Sequence, residues 1–147
     1  MTYSRFALMI ATSTLVMFGL MYLNTYALDH AFYSQTRAWM ALLMGSVMAI
    51  VMMGFMARHY PNKRVNAGIM IAGALVAAGS LYMVRSQVLV ADVAWMRAMI
   101  PHHSIAILTS ERADLSDPRV RDLADGIIDA QRREIAEMKL LIDDLTD

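Results

Sequence analysis

Two thioethers and two imidazoles fall in one short stretch, Trp95-Met96-Arg97-Ala98-Met99-Ile100-Pro101-His102-His103. The chain holds 15 methionines and four histidines but no cysteine. Disulfides, thiolate zinc sites and thiol catalysis are therefore excluded. A soft metal site here can use only thioether and imidazole, which suit Cu(I) or Ag(I); hard cations take oxygen. On a helical wheel of about 100° per residue, with Met99 at zero, Met96 falls near +60°, His103 near +40° and His102 near −60°. All four share one face. Pro101 sits among them, removes a backbone hydrogen bond and is expected to kink the helix or begin a new one. Further on, Gln131, Glu134 and Met138 share a face with Ile127 and Leu141. Met138 offers a third sulfur, and Glu134 a carboxylate to orient an imidazole. The competing reading is plain packing, because methionine fills irregular core gaps.

No other pattern in the chain carries chemistry. The tail has no Glu-x-x-His, and the chain has no His-Glu-x-x-His, no Gly-rich phosphate loop and no Gly-x-Ser-x-Gly. No enzyme is expected.

The elements that hold this stretch are helical throughout. Residues 6–28, 38–57 and 65–84 are runs without a charged side chain, and about 20 apolar residues span the hydrocarbon core of a bilayer. The expected architecture is all-α. Residues 1–87 form a three-helix transmembrane region, and residues 88–147 form a helical hairpin with arms at about 88–114 and 117–145. Ser116-Asp117-Pro118 reads as the start of the second arm. Its apolar stripe is expected at 120, 123, 127, 131, 134, 138, 141 and 145. Residues 1–90 carry a net +5 and residues 91–147 a net −5, so the two parts face different surroundings. The bases are too few and scattered for nucleic acid, and fit lipid headgroups. Arg58, Lys63 and Arg64 lie between the second and third runs, which makes that loop and the N-terminus cytoplasmic and the hairpin extracytoplasmic. His59 is then on the wrong side for the site, and His30 is expected in a solvated outer loop.

Met40, Met44, Met48, Met52 and Met56 recur every fourth residue, with Met53 beside them. Such a row winds about 40° per step, so it reads as a packing ridge rather than a metal path. Ala41, Gly45 and Ala49 beside it form a small-xxx-small row. Gly73, Ala74, Ala77 and Ala78 offer a second smooth face, expected to meet the first or a second copy.

Met99-Ile100-Pro101-His102-His103, Ala106-Ile107, Asp117-Pro118, Ala124, Ile127-Ile128, Gln131, Glu134-Ile135 and Met138 together resemble the bacterial domain of unknown function 305 family. The resemblance covers about residues 91–142. It implies half of a ferritin-like helical bundle and association with copper or silver. By resemblance the metal ligands are Met96, Met99, His102, His103 and Met138. The family's further methionine after the histidine pair is replaced by Thr109. Di-iron chemistry does not come with the likeness, because the inward glutamates it needs are absent.

The expected function is thus a membrane-anchored Cu(I)/Ag(I)-binding protein for sequestration or handover to a donor or acceptor protein. The expected location is the bacterial inner membrane, with the N-terminus cytoplasmic and the hairpin periplasmic. The expected partners are the lipid bilayer and a homo-oligomer or larger membrane complex. The alternative is a structural or assembly module whose hairpin mediates oligomerisation without metal.

Overall fold

The computed structural model describes residues 2–146. It contains α1 (Tyr3–Leu20), α2 (Gln35–Met56), α3 (Lys63–Ser86), α4 (Asp92–Arg112) and α5 (Pro118–Thr146), with short 3-10 turns at Leu28–His30 and Ala57–His59. No strand occurs among the described residues. The chain divides into two compact units. One takes the N-terminal segment up to Met21 together with Thr36–Leu89, and the other takes Tyr22–Gln35 together with the chain from Val90 onward.

In the first unit all three helices are long and apolar enough to cross a membrane. Large apolar side chains such as Leu15, Phe55 and Leu75 point outward, as a helix facing lipid requires. Small residues set the helix contacts. A Cβ on Gly45 would lie 2.2 Å from Thr14 Oγ1 of α1, and one on Gly73 would lie 2.8 Å from Ile50 Cγ1 of α2. The smooth row on α2 at Gly45 therefore meets α1, not the glycine face of α3, which packs against a different side of α2. The methionine row spirals as its geometry dictates. Met40 and Met44 are exposed and Met48, Met52 and Met56 half-buried, while Met53 beside the row is fully buried with Phe6 and Tyr60.

One end of this unit is closed by polar bonds. The Tyr3 hydroxyl donates to Asn66 Oδ1 at 2.8 Å, and Asn66 Nδ2 donates to the Tyr60 carbonyl at 3.2 Å. Asn62 caps α3 by accepting from the backbone N–H groups of Arg64 and Val65. At the other end α1 stops at Leu20, although the uncharged run continues to residue 28. Arg37 Nη1 donates to the Met21 carbonyl at 2.7 Å, satisfying one of the acceptors a helix end exposes. The residues after Met21 then belong to the second unit.

That unit is the α4–α5 hairpin with residues 22–35 laid against it. Asp117 begins α5 as its sequence suggests: its carboxylate accepts from the Arg119 backbone N–H at 2.9 Å and from the Arg119 guanidinium, with Pro118 at the first helical position. Met96, Ile100 and Ile107 of α4 pack with Ile128, Ile135, Met138 and Ile142 of α5, and Phe32 adds to this core. The apolar stripe of α5 is rotated from the one its sequence suggests. Ala124, Ile128, Ile135, Met138 and Ile142 are buried, whereas Val120, Leu123, Ile127, Leu141 and Leu145 face outward. The helix carries two apolar columns roughly 75° apart, and α4 covers the one that runs through Ile128, Ile135, Met138 and Ile142.

Candidate functional site

Helix α4 runs unbroken through Pro101, which is itself buried. No new helix begins there. The continuous helix keeps residues 96, 99 and 103 on adjoining parts of one face. Met96 is 4% exposed and Met138 6%. Both border a pocket of about 250 Å³ whose other lining residues are Trp95, His103, Glu134, Glu137 and Leu141. Two methionines, one histidine and two glutamates thus line one small space, together with the apolar Trp95 and Leu141.

His103 is held at both ring nitrogens. Nδ1 lies 3.0 Å from the Met99 carbonyl oxygen, one helical turn back. A carbonyl only accepts, so this contact requires hydrogen on Nδ1. Nε2 lies 2.7 Å from Glu134 Oε2, and Gln131 Nε2 donates to the same carboxylate oxygen at 3.3 Å. The expected bond between Glu134 and an imidazole is present. It occupies the nitrogen that would otherwise face a ligand, so Glu134 competes for that position rather than bracing the ring from behind.

The structure brings Met96, His103 and Met138 to one pocket and leaves Met99 and His102 outside it. Met99 contributes its backbone carbonyl, and its half-buried side chain packs on the hairpin core. His102 is exposed, its ring centroid 6.1 Å from that of His103 in an edge-on arrangement. Thr109 is exposed too, with its hydroxyl turned back to the Ile105 carbonyl at 3.0 Å. Among the described residues no three or more His, Asp or Glu side chains gather as a cation site.

Beside the pocket lies a cluster that the sequence conceals. Ser104 is completely buried. Its Oγ accepts the Tyr26 backbone N–H at 2.7 Å and lies 2.9 Å from His30 Nδ1. His30 is not solvated, as a loop histidine would be; its side chain is 13% exposed. Burial lowers its pKa from the usual 6.5, Lys139 acting in the same direction and Asp29 against it. Asp29 in turn accepts from Lys139 Nζ at 2.6 Å, and that bond is the main cause that holds its carboxyl below the ordinary 3.8.

The sequence pattern of the family described as "Domain of unknown function (DUF305)" matches residues 47–143. The chain belongs to that family. The DUF305 match begins within α2 and takes in α3 as well as both hairpin arms, a longer stretch than the 91–142 that carry the motif. "Uncharacterized protein L153" of Acanthamoeba polyphaga mimivirus is 32% identical over 108 residues, which is 72% of this chain and 69% of that protein. No solved structure matches.

Proposed function

We propose that this DUF305 protein is a membrane-anchored binder of a soft monovalent cation, Cu(I) or Ag(I), that sequesters it or hands it to a partner protein. The observation that carries this reading is the pocket bordered by Met96, His103 and Met138. Its donors are sulfur and imidazole, the ligand types that soft cations select. The ring of His103 is already fixed through Nδ1 by a backbone carbonyl, the arrangement that orients metal-binding histidines. Nε2 is then the donor nitrogen, once Glu134 turns aside. Met99 and His102 take no part in this smaller set. The three apolar helices anchor the chain. Arg58, Lys63 and Arg64 support a cytoplasmic turn between α2 and α3, hence a hairpin on the periplasmic side of a bacterial inner membrane.

The test is Cu(I) competition against a chromogenic chelator, using the full-length protein in detergent. Met96→Leu, Met138→Leu and His103→Ala are each expected to weaken binding by about tenfold or more, the usual scale for disturbing a metal site. His102→Ala should change it little. Equal Cu(I) retention by the wild type and the triple variant would sink the proposal.

A second reading is an assembly module, favoured by the outward column of Val120, Leu123, Ile127, Leu141 and Leu145 on α5. An apolar strip of this kind suits a second copy or a complex partner. Crosslinking of the full-length protein in detergent separates the two readings. A stable oligomer that Leu123→Lys dissociates, together with no Cu(I) binding, would favour assembly.

A further inference from the structure

We propose that residues 22–35 are an acid-releasable strap that holds the two arms of the hairpin together at the level of the Met96/His103/Met138 pocket. The segment touches both arms. On α4 it bonds Ser104, the residue after His103, through the Tyr26 N–H and His30. On α5 it bonds Lys139, the residue after Met138, through Asp29. Phe32 packs against the core that the two arms share. A bond immediately beside each pocket residue fixes the separation of the arms where the pocket lies.

The chemistry of the α4 anchor makes it sensitive to acid. Ser104 is completely buried, and among the described residues its hydroxyl meets only the Tyr26 N–H and His30 Nδ1; the N–H can only donate, so His30 Nδ1 is the acceptor for the buried serine O–H. His30 in the strap is therefore the neutral ring with its hydrogen on Nε2, 4.0 Å from Asp29 Oδ1. A proton added at Nδ1 takes away the acceptor of the buried serine O–H and places a charge in a part-buried site where it is less well solvated than in water. The charged groups that face the ring are Asp29 on its own segment and Lys139 on α5. They oppose each other, so burial decides the sign. Falling pH thus works against the anchor, and the strap lifts from Ser104 first.

Two readouts on the full-length protein test this without metal, so a failure of the cation reading leaves it standing or falling on its own. The first is exchange of the Tyr26 amide hydrogen, corrected for the intrinsic pH dependence of exchange. The second is peroxide oxidation of the Met96 and Met138 thioethers, followed by peptide mass. Between pH 7.5 and pH 5.5, Tyr26 protection should fall several-fold and sulfoxide formation at both methionines should rise several-fold. In His30→Asn, which keeps a neutral polar atom near the position of Nδ1, both should become independent of pH. Ser104→Ala should show the acid behaviour already at pH 7.5. Protection and oxidation rates that are the same at both pH values, or that change equally in the wild type and His30→Asn, would overturn the proposal. If the strap responds as expected while the full-length protein retains no Cu(I), the cation reading alone fails.

Discussion

His103 Nδ1 faces the Met99 carbonyl while His30 Nδ1 faces a serine hydroxyl that has already accepted a hydrogen. The same ring atom is a donor in one histidine and an acceptor in the other. The two rings, in one unit of the fold, thereby differ at Nδ1, with hydrogen on one and a lone pair on the other. The carbonyl needs hydrogen on Nδ1, and the serine needs a lone pair there. Long-range ¹H–¹⁵N correlation at pH 8 checks this directly. His103 should show a pyrrole-type Nδ1, and His30 a pyridine-type Nδ1. Identical patterns for the two rings would contradict the geometry.

The acid limb of stability should come in two stages. A lowered His30 pKa gives stability that is complete above its ordinary 6.5 and is lost as the pH falls below that, down through the folded value. A lowered Asp29 pKa gives stability that is complete above 3.8 and lost as the pH falls through its folded value. Both favour neutral pH, in separate windows. Thermal unfolding from pH 7.5 to pH 3 should show Asp29→Asn flattening the lower stage while the decline that begins near 6.5 persists. An unchanged lower stage in that variant would remove the Asp29–Lys139 bond from the account.

Glycines in the first unit should divide into two classes. Gly45→Ala forces a Cβ against Thr14, and Gly73→Ala forces one against Ile50 and the Ser46 carbonyl. Such overpacking costs about 1–3 kcal/mol. Gly54, Gly68 and Gly79 have nothing within 4 Å of an added Cβ, so alanine there removes only the helix penalty of glycine and should be neutral or stabilising by about 0.5–1 kcal/mol. Melting of each variant in one detergent reads the split. Thr14→Ala should rescue much of the Gly45→Ala loss.

The rotation of α5 is testable by truncation. Ile135→Ala empties a buried site and should cost about 2–5 kcal/mol. Leu123→Ala, on the outward column, should cost about 0.5 kcal/mol or less. Chemical unfolding monitored by helix content distinguishes them, and comparable losses would restore the stripe expected from sequence.

Much of the fold was legible because its signals are local. Uncharged runs marked three helices, and Asp117-Pro118 marked the start of α5, since a cap and a first-turn proline act within a few residues. The site was legible in part. Spacing put Met96, Met99, His102 and His103 on one helix face, but it did not separate His102 from the others. It could not show that Met99 would lend its carbonyl while its side chain packs on the core. Nor could it show that the uncharged run 6–28 would be divided, with helix up to Leu20 and a docking segment after Met21.

The sequence alone determined the chemistry on offer: no thiol, many thioethers, two histidines beside two methionines, and the helices that carry them. Composition and period are properties of the chain itself. Tertiary structure decided which of the two apolar columns on α5 is covered, because periodicity defines a face only up to rotation and the partner helix chooses. It also decided that Tyr26 and His30 meet Ser104, 78 and 74 positions away. Bonds over such distances depend on where the folded helices place their partners, and nothing in the local spacing encodes them.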